Sequence, residues 1–178
     1  INNNFESSKM ITSLGIIEGY YGRIYTEAER QSLISFISDT GYSYYIYAPK
    51  NDCSLRLKWD DKFSKEKIDF LKRLSLYCKN NSIEFGIGIS PLAITSDLKK
   101  YLPILLNKVD FFVKELKTKV IAILFDDIKL YTNDEGIHQK EIMNKIASYL
   151  ASNFPNTNVR LAFCPTYYSF DTILDKWF

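Results

Sequence analysis

The chain is short of the residues from which most metal, redox and phosphate chemistry is built. Its 178 residues include one histidine, His138, and three widely spaced cysteines, Cys53, Cys78 and Cys164. With no CxxC pair and a single His, a structural zinc site lacks a ligand set. An odd number of scattered cysteines reads as reduced thiols rather than a disulfide framework, which points to a cytoplasmic protein and leaves secretion as the alternative. A Cys164–His138 nucleophile pair is the one thiol chemistry left open. No Gly-rich loop precedes a helix, so a phosphate cradle is missing. No apolar run approaches the roughly 20 residues of a membrane span, so no membrane partner is expected. The start, Ile1 to Lys9, is polar and Asn-rich, has no signal-peptide core and lacks an initiator Met, which leaves a processed N-terminus open. An excess of one charge is also missing. The 23 basic and 21 acidic residues leave a net charge of +2, which gives no footprint for nucleic acid.

Present instead is an ordinary globular composition, 46% hydrophobic and 25% charged, at a length that suits one domain with a sizeable core. The aromatic share, 15% with 13 Tyr, suits either a cleft for a ligand with polar edges or a wet core. Strand and helix signals alternate along the chain. Leu14–Glu18 reads as a strand running into the turn-rich Gly19–Arg23. Thr26 with Glu29 forms a capping box for a helix that buries Leu33, Ile34, Phe36 and Ile37. Tyr44–Ala48 is a second strand, stopped by Pro49, and Ser64 caps a helix with a stripe at Ile68, Leu71, Leu74 and Cys78. Ile83–Ser90 is a third strand whose alternating Gly86 and Gly88 thin one face for a close neighbour. A helix over roughly 96–117 must bend or split at Pro103. The fourth strand follows, then a helix with Ile142, Ile146, Tyr149 and Leu150, then a fifth strand at Val159–Cys164. Five βα-type steps predict an α/β fold with a parallel sheet, and right-handed crossovers place every C-terminal strand end on one side.

The fourth strand carries the most informative feature. Val120–Phe125 is an apolar, β-branched run of the kind buried on both faces of a parallel sheet, and it ends in two adjacent acids, Asp126 and Asp127. Inside the strand one of them would be buried unpaired on the wrong face, but at the C-terminal lip the backbone can turn and bring both to one cleft. Like charges this close push one pKa up, so that one carboxyl can donate a proton while its partner accepts a hydrogen bond. Glycoside hydrolysis divides the labour in this way. A divalent cation on hard oxygen ligands is the competing reading, and capping of the next helix is the purely structural one. Lys50, after the second strand, could donate to a ligand hydroxyl. Tyr20, Tyr21, Tyr167 and Tyr168 could stack on a sugar or simply pack at the mouth.

Five segments, each at a strand end, occur in order: GIIEGYYGR (Gly15–Arg23), YIYAPKND (Tyr45–Asp52), ISP (Ile89–Pro91), LFDDI (Leu124–Ile128) and FCPTYY (Phe163–Tyr168). They resemble the catalytic domain of the O-GlcNAcase and bacterial hyaluronidase-like β-N-acetylglucosaminidases, glycoside hydrolase family eighty-four, from about Leu14 to the C-terminus. The resemblance implies a (β/α)8 TIM-type barrel with only about its first five βα units present. It also implies retaining, substrate-assisted hydrolysis of terminal β-linked N-acetylglucosamine through an oxazoline, with no metal and no cofactor. Asp126 would orient the acetamido group and Asp127 would be general acid and then base. Gly19 would make a backbone contact to the sugar, Lys50 would bind a hydroxyl, Tyr168 would stabilise the acetamido group and Tyr21 would line the pocket. The expected partner is a GlcNAc-containing glycan or glycoprotein. The sequence departs from the family pattern at Leu92, where a Gly usually follows Ser-Pro, and at Asn51, where a second acid is common.

A (β/α)8 barrel needs about 200 residues or more. The expectation is therefore an extension at 1–13 and a partial catalytic barrel at 14–178, completed by a missing C-terminal half or by self-association. A sugar-binding pseudoenzyme or interaction module on the same fold is the alternative.

Overall fold

A computed structural model describes residues 13–130 and 132–167. It contains five strands, β1 (Gly15–Glu18), β2 (Tyr44–Tyr47), β3 (Glu84–Ile89), β4 (Val120–Leu124) and β5 (Arg160–Cys164). Between them run four helices, α1 (Glu27–Asp39), α2 (Lys65–Asn80), α3 (Leu98–Lys114) and α4 (Glu135–Asn153). The strands form one sheet in the order β1-β2-β3-β4-β5, every neighbouring pair parallel. The parallel sheet is what the alternation of strand and helix signals predicts, and it forms the wall of the partial (β/α)8 barrel that the family resemblance implies. No helix among the described residues is long and apolar enough to cross a membrane. The expected extension at 1–13 falls almost wholly outside the described residues.

The helix boundaries follow from their caps. Thr26 and Glu29 form the reciprocal capping box, with Glu29 N donating to Thr26 Oγ1 at 3.2 Å and Thr26 N to the Glu29 carboxylate at 2.8 Å. Ser64 and Asp97 accept from Lys67 N and Lys100 N and start α2 and α3. One expectation is corrected, and one of two alternatives is settled. Phe36 is 62% exposed, because it lies about 200° around α1 from the buried Ile34 and points away from the sheet. Pro103 sits inside a continuous α3 without splitting it. It lies on the exposed side, where water can satisfy the Lys99 carbonyl that its missing N–H leaves free.

The core lies between the helices and the outer face of the sheet, where Tyr45, Tyr47, Phe85, Ile87, Ile121, Ile123 and Phe125 meet helix residues such as Ile34, Leu71, Val109 and Ile146. The inner face carries a smaller cluster of Ile46, Ala48, Val120, Ala122 and Leu124. Register sets these levels. Ile46 pairs with Gly86 and Gly86 with Val120, while Gly88 pairs with Ala122 and Ala122 with Ala162.

Candidate active site at the C-terminal lip

The period of two along a strand decides which residues face the barrel interior. On β2 the inner positions are Tyr44, Ile46 and Ala48, and the next is Lys50. On β4 they are Val120, Ala122 and Leu124, and the next is Asp126. Strand β3 lies between them and presents Gly86, Gly88 and then Ser90. A Cβ on Gly88 would sit 2.6 Å from Ala48 Cβ and 3.1 Å from Leu124 Cδ1. The bare glycine face thus lets β2 and β4 close over β3, and their next inner residues meet. Lys50 Nζ forms an ion pair and hydrogen bond with Asp126 Oδ2. The lysine side chain is 4% exposed and the aspartate side chain 20%. Asp126 Oδ1 is buried and has no hydrogen-bond partner among the described residues.

Asp127 would face the helices if the strand continued. Instead its φ of 56° puts it in the left-handed region, which Asp tolerates better than most residues, and the chain turns so that its side chain is exposed at the lip. Tyr21, from the loop after β1, donates to Asp127 Oδ2 at 3.2 Å. Burial and the Asp127 carboxylate push the Tyr21 hydroxyl up, against the lowering by Arg56, so it serves as a donor. The two acids are therefore adjacent in sequence yet differently placed: one inward on Lys50, one outward under Tyr21.

Gly19 lies at the same lip. The residues on either side of it pair with the tip of β2, Ala48 N donating to Glu18 O and Lys50 N to Tyr20 O, both at 3.2 Å. Asn51 Nδ2 donates to Gly22 O at 2.7 Å, so the residue that departs from the family's acid ties the β1 and β2 loops together. Leu92, the other departure, accepts from the buried Trp59 Nε1 at 2.8 Å. Tyr168 lies outside the described residues.

Sequence reasoning misses the supports. Beneath the lip, Glu18 accepts two hydrogen bonds from Arg30 at 2.8 and 2.9 Å and one from Tyr45, all buried. Asp52 accepts from Tyr47 at 2.7 Å and pairs with Lys67. At the other side Gln139 donates to Thr166 Oγ1 at 2.7 Å, and Thr166 Oγ1 donates to Phe125 O at 2.9 Å, fastening the tips of β4 and β5 directly before Asp126. Arg56 Nη2 donates to the Asp127 carbonyl at 2.9 Å. A buried acid at a strand end, as at Glu18, is the one available signal, since it demands a buried cation.

The geometry also sorts the competing chemistries. His138 Nδ1 pairs with Thr132 Oγ1 at 3.2 Å, and burial, with Asp126 adding, raises the Cys164 thiol, so the thiol is not poised as a nucleophile. Among the described residues no three His, Cys, Asp or Glu side chains gather as a metal site. The Lys50 ammonium takes one Asp126 oxygen, and its positive charge beside the other disfavours a second cation there. What the lip offers is a buried acceptor without a partner among the described residues, Asp126 Oδ1, beside an exposed carboxylate, Asp127.

Comparison with known proteins bears on the family and the fold. A family model described as β-N-acetylglucosaminidase matches residues 14–175. The Protein O-GlcNAcases of rat and mouse are each 33% identical over 163 residues, covering 86% of this chain and 17% of their own length. A mutant O-GlcNAc hydrolase of Thermobaculum terrenum superposes with a TM-score of 0.79 at 26% identity, over 92% of this chain and 37% of that one. A second solved structure, CpGH84B, gives a TM-score of 0.74 at 28% identity, over 88% of this chain and 27% of the other. The chain thus spans well under half the length of these relatives. Five strand-end motifs, the parallel half-barrel and a family match over nearly the whole chain converge, and the chain belongs to the β-N-acetylglucosaminidase family of the O-GlcNAcases, glycoside hydrolase family eighty-four.

Proposed function

We propose that this chain carries the catalytic acids of a retaining β-N-acetylglucosaminidase that removes terminal β-linked N-acetylglucosamine from glycans or glycoproteins. Asp126 is the observation that carries the reading. One of its oxygens is held by Lys50 and the other is a buried acceptor with no partner among the described residues, one residue before an exposed Asp127. The N–H of a 2-acetamido group is the donor that such an oxygen lacks. Held there, the group's carbonyl oxygen attacks the anomeric carbon as the C1–O glycosidic bond breaks and Asp127 gives its proton to the departing oxygen. The product is a protonated oxazoline whose N–H stays hydrogen-bonded to the Asp126 carboxylate. Water then attacks the same carbon, Asp127 takes a proton from it, and the acetamido group is restored with the β configuration retained. Neither carboxylate attacks carbon, so the acids need not stand about 5–5.5 Å apart across the sugar as in covalent retaining enzymes.

In this reading Lys50 also donates to a sugar hydroxyl, Gly19 offers its backbone to the sugar, Tyr21 lines the pocket and Tyr168 stabilises the acetamido group. Support comes from the motif pattern and from relatives whose names say O-GlcNAcase and O-GlcNAc hydrolase. The test is release of 4-methylumbelliferone from its β-N-acetylglucosaminide, with Asp127→Asn and a chelator-treated sample alongside. The expected result is hydrolysis that survives chelator and is abolished in the variant, while the variant still binds N-acetylglucosamine. Loss of activity with chelator would restore the metal reading. Sugar binding without turnover in every sample would make the chain a binding module.

A further inference from the structure

Arg56 has no role in the reaction proposed for the two acids, yet it is built into the lip. It closes a 3-10 turn, Cys53–Leu55, whose start is capped by Asp52, which accepts from Ser54 N at 3.1 Å and Ser54 Oγ at 2.6 Å. Asp52 is itself buried against Lys67 and Tyr47, and Leu55 is buried in the core, so the turn is fixed to the body of the fold. From this base the Arg56 guanidinium reaches the neighbourhood of Asp127 twice. Nη2 donates to the Asp127 backbone carbonyl at 2.9 Å, and the guanidinium lies over the Tyr21 ring, 5.4 Å from its centroid. Tyr21 in turn donates to the Asp127 carboxylate. Loops after β1, β2 and β4 therefore close on one residue.

Asp127 needs such a clamp. A non-glycine residue at a φ of 56° keeps that conformation only where its surroundings determine it, and the conformation is what turns its carboxyl to the lip. Arg56 holds the carbonyl and steadies the tyrosine that holds the carboxylate. Its Nη1 is buried with no partner among the described residues, a cost that packing alone would remove by replacing the arginine.

We propose that Arg56 is a positioning residue that fixes the direction of the Asp127 carboxyl as general acid, through the Asp127 carbonyl and Tyr21. The inference rests on Asp127 being the general acid of the proposed function. A group that acts through the general acid matters in proportion to how much the leaving oxygen needs a proton. In the whole protein, kcat/KM is measured for Arg56→Met, Arg56→Lys and Asp127→Asn on three β-N-acetylglucosaminides: a dinitrophenyl glycoside, which leaves unprotonated, a 4-methylumbelliferyl glycoside and an alkyl glycoside. Arg56→Met is expected to lose about 100-fold on the alkyl substrate, the scale of a small displacement of a catalytic group, and to remain near wild type on the dinitrophenyl one. Arg56→Lys, which keeps the cation but not the planar fork, should fall between, and guards against a Met variant that folds poorly. Equal losses on all three substrates, or none, would overturn the proposal. A flat leaving-group dependence in Asp127→Asn would overturn the general-acid reading itself, and is seen separately from the Arg56 result.

Discussion

Lys50 and Asp126, 76 positions apart in sequence, form one ion pair across the inner face of the sheet, and the strand between them contributes no side chain at the level below. The pair is largely withdrawn from water, so neither member is replaceable singly. Removing one partner leaves the other charge without its counter-ion in a poorly solvated place. Lys50→Met and Asp126→Asn should therefore be strongly non-additive. In denaturant unfolding, the double variant is expected to be less destabilised than the sum of the single variants, by a coupling energy of about 0.5–3 kcal/mol. Simple additivity would mean that the two groups do not depend on each other.

Gly88 makes that meeting possible, and its replacement should separate stability from chemistry cleanly. A methyl group there would fall 2.6 Å from Ala48 Cβ, a side chain too short to move aside, so β2 and β4 must part. Gly88→Ala is expected to cost about 1–3 kcal/mol, the scale of overpacking, and to lower activity by spreading Lys50 from Asp126. Gly136, in α4, has nothing within 4 Å of a Cβ and provides the control. Gly136→Ala should stabilise the protein by about 0.5–1 kcal/mol through helix propensity, with activity unchanged. Thermal melts and turnover on the two variants check both statements, and a harmless Gly88→Ala would contradict the close approach of the strands.

Asp52, two residues after Lys50, should leave a mark on the acid limb of stability. Burial alone would raise its carboxyl, but this is outweighed by the Lys67 ammonium and by hydrogen bonds from Lys67, Ser54 and Tyr47, and the carboxyl is held below the usual range. A group whose folded pKa is depressed contributes stability that is complete above its unfolded value, about 3.9, and is lost as pH falls through the folded value. Asp52→Asn is thus expected to melt below wild type at neutral pH, with the gap closing as pH drops from about 5 towards 2. A gap of constant width would show that the charge of Asp52 contributes nothing.

The fold and the two acids are legible in the sequence because each rests on a local signal. Val120–Phe125 is too apolar to be anything but a buried strand, and Asp126-Asp127 has only the lip to occupy. Thr26 with Glu29 announces α1 through a cap that the structure reproduces bond for bond. Phe36 misleads because apolar content alone ignores its angle around the helix. Pro103 leaves α3 unsplit because the loss of one hydrogen bond matters less where water can replace it. Arg56 is invisible for a different reason. It lies in a short irregular turn with no period to read, and its value comes from a carbonyl 71 positions away. Gln139 and Lys67 are hidden likewise, as polar residues on helices whose partners lie on strand tips.

In the proposed function the two acids serve a substrate whose own acetamido oxygen is the nucleophile. The role of that oxygen is tested most directly by turnover of 4-methylumbelliferyl glycosides carrying acetyl, fluoroacetyl and trifluoroacetyl groups on the 2-amino nitrogen. Fluorine withdraws electrons from the carbonyl oxygen, so kcat/KM is predicted to fall steeply along the series. The fall should persist with a chelator present. A flat series would mean that the acyl oxygen takes no part in the reaction, and would contradict the roles assigned to Asp126 and Asp127.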